Sequence, residues 1–267
     1  MKNSKKDYYN QEIFWENDLY SIPREKIRID EIIRNIPEDV ITILDIGCGN
    51  GAVLNKLLES SKYERLVGID FSETALKYVK TEKYLMNIEN LIFKDKSFDL
   101  VICNEVLEHL PYQEYNSALK EITRVAKKYI LVTTPNQEDL ESNLVCCPEC
   151  NAWFNQEYHV RSFNKDKLFK LFESFECKII SEIGDEIPRI KHNSITRLFN
   201  IYYIKRTPSN YSKCPQCEMI MSDYNKFKSD DNKSFIQKFL IKLSLIFTNK
   251  EYHKLWLLAL YERKRNS

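Results

Sequence analysis

The chain has 267 residues, 43% of them hydrophobic and 30% charged, with 40 Lys and Arg against 39 Asp and Glu. A net charge of +1 excludes a protein held to nucleic acid or to anionic lipid by global charge alone. The length suits one large domain or one domain carrying an insertion. Eight cysteines in a chain whose polar start, residues 1–6, is not followed by an apolar leader point to thiols rather than disulfides, and the expected location is cytoplasmic.

Residues 7–22 mix Tyr8, Tyr9, Phe14, Trp15 and Tyr20 with acids and show no clean period, which leaves them either a flap over a ligand or rings packed on a core. From Pro23, isoleucines at 27, 29, 32, 33 and 36 recur at helical spacing until Pro37 stops the run. The segment 41–51, ITILDIGCGNG, then reads as a buried strand breaking into a ligand-binding turn. Three of the chain's five glycines, Gly47, Gly49 and Gly51, fall in that turn, where positive φ and the lack of a Cβ let a ligand approach the backbone. A helix over 52–59 and a strand over 65–69 follow. Asp70 at that strand's end lies nineteen residues beyond Gly51, the spacing at which a carboxylate reaches ribose hydroxyls. Next come a helix over 74–83, a short strand near 84–86 and a fourth strand, FDLVIC, over 98–103. Strands alternating with helices predict an α/β fold with a parallel sheet and right-handed crossovers.

DIGCGNG, VGIDFSETAL, SFDLVICNEVLEHL and YILVTTPN, in that order, resemble the class I S-adenosylmethionine-dependent methyltransferases, over roughly residues 27–175. LWLLALYER at 255–263 is similar to that family's closing antiparallel strand. The resemblance implies a Rossmann-like doubly wound sheet of seven strands with the last one antiparallel. It also implies S-adenosylmethionine as cofactor. Asp45 and the turn Gly47, Cys48, Gly49 and Gly51 would support the methionine end, Asp70 the ribose, Phe71 the adenine face, and Asn104 the floor beneath the sulfonium. Where the family usually has an Asp for the adenine amine, this chain has Asn87, followed by Ile88; an amide oxygen accepts the same hydrogen bond without charge. Gly47-x-Gly49-x-x-Ala52 also fits the dinucleotide fingerprint, so a nicotinamide oxidoreductase is the competing enzyme, and Asp45 favours the methyltransferase.

Methyl transfer needs alignment, and a base only where the nucleophile must lose a proton. His109 in EVLEHLP and His159 in EYHVRSFN stand where such a base would be. Glu105, Glu108 and His109 form E-x-x-E-H, which on a helix places all three on one face. With His159 they resemble the set that holds a Mg²⁺-type ion in ubiquinone-pathway O-methyltransferases and small-RNA 2′-O-methyltransferases; in methyltransferases without that metal, Glu105 orders the loop and His109 caps or packs.

Cys147-Pro-Glu-Cys150 and Cys214-Pro-Gln-Cys217 are two C-P-x-C turns, sixty-three residues apart, whose four thiolates complete a tetrahedral structural zinc site if the fold joins them. Cys146 lies outside the pattern, and Cys48, Cys103 and Cys177 read as packing thiols. Further elements are a helix over 165–175, a strand over 177–183, a helix over 195–204, a polar linker at 229–233 and an amphipathic helix over 235–247. That last helix is too short to span a bilayer and reads as a lid or core element, with a dimer surface or a membrane-facing helix as the alternatives. The expected divisions are a flap and helix (1–40), a cofactor core (41–145), a zinc-ribbon insertion with substrate-side elements (146–220) and a closing helix and strand (221–267). The leading function is a methyltransferase acting on an oxygen, nitrogen or carbon of a small molecule, lipid intermediate or glycan. The non-enzymatic alternative is a cofactor- and zinc-binding interaction module, with nucleic acid disfavoured by the near-neutral charge.

Overall fold

The computed structural model describes residues 7–191, 208–209, 212–221 and 249–265. The sequence-predicted linker at 229–233 and helices over 195–204 and 235–247 lie outside the described residues, as does His192. The chain divides into two units. One, the sheet unit, comprises Tyr9–Gln137, Val160–Glu186 and Lys254–Ser267; the other, the cysteine unit, comprises Met1–Tyr8, Glu138–His159 and Ile187–His253.

Apolar runs in the first half become strands because both faces of their sheet are covered. These are β1 (Thr42–Ile46), β2 (Arg65–Asp70), β3 (Glu82–Leu85), β4 (Phe98–Asn104) and β5 (Ala126–Pro135). β1 pairs in parallel with β2 and β4, β2 with β3, and β4 with β5. Two short strands, β6 (Leu144–Cys146) and β7 (Trp153–Asn155), form a separate hairpin in the cysteine unit. The long strands β8 (Phe175–Lys191) and β9 (Asn249–Arg263) complete a seven-stranded sheet of order β3-β2-β1-β4-β5-β9-β8, and the division between units falls within both. β9 runs antiparallel to β5, Leu131 opposite Leu260 and Val132 opposite Ala259. This is the Rossmann-like seven-stranded sheet expected from the sequence, with its last strand reversed.

One face of the sheet, with Leu44, Val101, Cys103, Val132 and Ala259, buries Ala118, Ile122 and Val125 of α4 (Tyr112–Val125) and Leu168 of α5 (Lys165–Phe169). The other, with Ile43, Leu100, Ile102 and Leu258, buries Ile29 and Ile32 of α1 (Pro23–Arg34) and Val53, Leu54 and Leu57 of α2 (Ala52–Leu57). Fully burying each of the Leu, Ile and Val side chains among them is worth about 1.5–3 kcal/mol. Cys48 and Cys103 are buried among these residues and Cys177 packs beside them, as packing thiols should.

Three helices are shorter than their periodicity predicts. The helix expected over 74–83 is the single turn α3 (Glu73–Leu76), and Lys83 belongs to β3. The cause is Asn55 on α2: its amide donates to the Tyr78 carbonyl (3.0 Å) and accepts the Lys80 N–H (2.9 Å), replacing helical bonds with a tertiary anchor. α2 stops at Leu57 rather than 59, and α5 at Phe169, because the chain turns at Phe172 to enter β8 at Phe175. Among the described residues no helix is long and apolar enough to cross a membrane.

Candidate functional site

In open parallel sheets, ligands lie outside the carboxyl ends of the strands, at the point where the strand order reverses. Here that point is between β1 and β4. The turn leaving β1 has Gly47, Gly49 and Gly51 all at positive φ (68°, 52° and 78°). A Cβ on Gly47 would lie 2.4 Å from the Val106 side chain, and one on Gly49 would lie 2.7 Å from the Trp15 ring. The glycines therefore make a cradle that any larger residue would fill. Gly47 and Cys48 donate their N–H groups to the Ile69 carbonyl (2.8 and 3.0 Å), which fastens the turn across the end of β2.

Asp70 ends β2 and is buried, and its carboxylate accepts the N–H of Gly49 (2.9 Å) and that of Ser72 (2.8 Å). Those two backbone donors fix the orientation of the carboxylate. Asp45 on β1 is buried with its Oδ1 lacking a hydrogen-bond partner among the described residues. Burial, reinforced by the charge of Asp70, pushes its carboxyl up to about 8. An unsatisfied acid beside a glycine cradle and a second acid fits a ligand with a ribose and a cationic amino-acid end. S-adenosylmethionine has both.

Tyr9–Tyr20 is the element that sequence could not place. Its rings line the same end of the sheet. The Tyr9 ring meets Phe71 edge-on (5.7 Å) and His109 edge-on (5.6 Å). The Asn50 amide donates to the Asn17 and Trp15 carbonyls (2.9 and 3.3 Å), and the Tyr78 hydroxyl donates to Glu12 (3.0 Å). Asn87 is exposed and Ile88 half-buried just beyond β3, and Asn104 at the end of β4 accepts the Thr133 hydroxyl (2.5 Å).

The E-x-x-E-H run is not the start of a regular helix. Glu105 has φ +56°, and only Leu107–His109 form a 3₁₀ turn, so the offsets expected of a helical face do not apply. Glu105 instead receives the Trp256 indole N–H (2.9 Å) and lies 3.2 Å from the Arg28 guanidinium, which itself sits over the Trp256 ring. Of the residues named for a second metal, Glu105 is therefore paired with a buried cation. Glu108 is buried and His109 half-buried in the sheet unit, whereas His159 belongs to the cysteine unit.

Within the cysteine unit, His159 Nδ1 lies 2.5 Å from Glu138 Oε2, and the other Glu138 oxygen accepts the Asn143 amide (2.8 Å). A buried carboxylate on Nδ1 orients the imidazole ring. Glu138 was missed from sequence, where PNQED after β5 offers nothing beyond a polar loop.

The four C-P-x-C cysteines do converge. Their sulfurs lie within 4.8 Å of one another, with Cys147 to Cys217 and Cys150 to Cys214 at 3.6 Å. Zinc–sulfur bonds of about 2.3 Å in a tetrahedron put sulfurs about 3.8 Å apart, so the set fits that ion. The two turns repeat each other. Cys147 N–H donates to Ala152 O (2.8 Å) and Cys214 N–H to Met219 O (2.9 Å). Asn151 and Glu218, each four residues past the first cysteine, have positive φ (59° and 62°). Cys146 pairs with Trp153 and Lys213 with Ile220 at the same offsets. Two equivalent hairpins presenting paired thiols are what a zinc ribbon requires.

Residues 44–130 match a family model described as a methyltransferase domain. The matched segment runs from within β1 into β5 of the sheet unit. An uncharacterized protein of Methanocaldococcus jannaschii is 39% identical over 102 residues, 37% of this chain and 42% of that one. The small RNA 2′-O-methyltransferase of Arabidopsis thaliana is 27% identical over 172 residues, 57% of this chain and 18% of that protein. The chain thus spans less than half the length of either relative. A putative methyltransferase solved in complex with the Haloferax volcanii Trm112 activator superposes with a TM-score of 0.56 at 15% identity, over 98% of this chain and 97% of that one. At that identity the likeness concerns the fold.

Proposed function

We propose that the protein is an S-adenosylmethionine-dependent methyltransferase whose acceptor is an oxygen, nitrogen or carbon of a small molecule, lipid intermediate or glycan. The observation that carries the reading is the pair of buried acids, Asp45 and Asp70, flanking a glycine turn at the switch point of the methyltransferase domain. S-adenosylmethionine supplies an electrophilic methyl on a neutral leaving group, so the chain's share is alignment and proton handling. In this reading Asp70 takes the ribose hydroxyls, Asp45 faces the cationic methionine end, Phe71 lies against adenine with Asn87 and Ile88 at its rim, and Asn104 lies under the sulfonium. His159, with Nδ1 tied to Glu138, is the base for a protonated nucleophile, and His109 is the second candidate. The Arabidopsis relative, by name an enzyme that methylates a 2′-oxygen, supports a hydroxyl among the acceptors.

The cysteine hairpins hold one structural zinc through Cys147, Cys150, Cys214 and Cys217. Its role is to fix a ribbon whose own unit contains the Glu138–His159 pair.

The test is calorimetry with S-adenosylhomocysteine, followed by transfer of labelled methyl from S-adenosylmethionine into fractionated cell extract, with Asp70→Ala and Asp70→Asn as controls. Binding and label in a discrete fraction, both lost in the controls, are the expected result. Binding of NAD without S-adenosylhomocysteine would overturn the reading in favour of an oxidoreductase. Full turnover in chelator would give Glu108 and His109 to positioning rather than to a Mg²⁺-type ion.

A further inference from the structure

Arg161 is half-buried and carries a charge that meets no carboxylate among the described residues. Its guanidinium lies 3.6 Å from the centre of the Tyr115 ring, its Nη2 donates to the Leu110 carbonyl (2.5 Å), and its Nε is buried without a partner. Burial lowers its basicity. Arg263 in the same unit is the structural contrast: its donors go to the Lys127, Thr123 and Ala126 carbonyls, where α4 ends in β5, and its ring partner is Phe175. Arg263 is satisfied by backbone, whereas Arg161 has one carbonyl and the Tyr115 side chain. A desolvated cation that lacks a counter-charge is costly, and it is retained where an anion comes to it.

The position of Arg161 says which anion. Val160 N–H donates to the Glu108 carbonyl (2.8 Å), Leu110 follows His109, and Phe163 bridges to Asn136 just past the end of β5. The segment 160–163 therefore crosses the carboxyl ends of β4 and β5. The acids assigned to the cofactor, Asp45 and Asp70, lie on β1 and β2, on the other side of the switch point. The guanidinium sits over the Tyr115 ring, and a guanidinium edge can meet two oxygens of one group. Within the E-x-x-E-H run, Glu105 is already paired with Arg28.

We propose that Arg161 is a specificity residue for the methyl acceptor and that the acceptor carries an oxyanion, a phosphate or a carboxylate, that the Arg161 guanidinium binds. The inference rests on the methyltransferase reading for the name of the acceptor, and on geometry alone for the anion.

The experiment follows the side-chain Nε–H resonances of ¹⁵N-labelled full-length protein saturated with S-adenosylhomocysteine, as inorganic phosphate or, separately, acetate is added. Arg161 is assigned as the signal missing in Arg161→Met, and Arg263 is the internal control. The expected result is a saturable shift of the Arg161 signal with at least one anion while the Arg263 signal stays in place. A response to phosphate alone assigns a phosphorylated acceptor, and a response to acetate alone a carboxylate. An Arg161 signal that moves no more than that of Arg263 with either anion overturns the proposal. Arg161→Met retains S-adenosylhomocysteine binding if it is folded. Failure of wild-type protein to bind S-adenosylhomocysteine sinks the methyltransferase reading, and the anion titration can still be read without it.

Discussion

Asp45→Asn isolates the most perturbed acid of the candidate cofactor site. Burial and the Asp70 charge raise the Asp45 carboxyl from 3.8 to about 8 in the folded protein. A raised folded value means that the folded state holds the proton where the unfolded chain has lost it, so stability is full below pH 4 and falls as pH rises toward 8. Each unit of that window costs at most about 1.4 kcal/mol, and the whole window has a ceiling of about 6 kcal/mol. Between pH 6 and 8 the ceiling is about 2.7 kcal/mol, or roughly 5–10 °C in melting temperature for a chain of this size. The isosteric amide carries no charge at any pH and removes this slope. The assay is thermal unfolding of cofactor-free wild type and Asp45→Asn at pH 6, 7 and 8, where other titrating groups cancel in the difference. The melting temperature of the variant minus that of wild type must rise with pH. A difference flat across the three pH values refutes the assignment of the proton to Asp45. Adding S-adenosylhomocysteine should then favour wild type, because a cationic ligand end stabilises the ionised carboxylate that the amide lacks.

Gly49→Ala places a Cβ at φ +52° and 2.7 Å from the Trp15 ring, so it should displace Trp15 and weaken S-adenosylhomocysteine binding about tenfold or more by calorimetry, with Trp15 fluorescence shifted. Cys214→Ser should drop bound zinc from one per chain to none by metal analysis and lower the melting temperature; zinc content unchanged in this variant would contradict a four-thiolate site. Glu138→Gln should lower methyl transfer about 10–100-fold with S-adenosylhomocysteine affinity unaltered, since the amide no longer anchors the His159 ring as an anion; equal loss of affinity would point to unfolding instead.

What was legible in the sequence was local. The strand running into the glycine turn, the acid nineteen residues on and the C-P-x-C turns each state their chemistry within a few residues, and the parallel pairing of β1 to β5 follows from strands alternating with helices. The failures are tertiary. The amphipathic pattern over 74–83 is real, yet Asn55, on another helix, captures the backbone at Tyr78 and Lys80 and ends the helix after one turn. E-x-x-E-H has helical spacing, yet Glu105 takes a left-handed φ because Arg28 and Trp256 hold its carboxylate elsewhere. Glu138 and Arg161 have no motif at all; each acquires meaning from one neighbour, His159 in the first case and Tyr115 in the second.

The residues around the glycine turn also explain why so few glycines suffice. Asp70 accepts from Gly49 and Ser72. Ser72 Oγ lies within hydrogen-bond distance of the Tyr9 carbonyl (2.8 Å) and the Asn10 side-chain oxygen (2.9 Å) while accepting the Ala75 N–H that starts α3. The Trp15 indole donates back to that same Tyr9 carbonyl (2.5 Å), and its ring closes over Gly49. The circuit from Tyr9 to Ser72, Asp70, Gly49 and Trp15 returns to its start, so each member is oriented by the others rather than by the sheet alone. A carboxylate held by two backbone donors in such a circuit is fixed in orientation, so little ordering entropy would be left to lose on binding a ligand. The N-terminal aromatic stretch, which has no period of its own, is therefore tied to the glycine turn it covers, each holding the other's conformation.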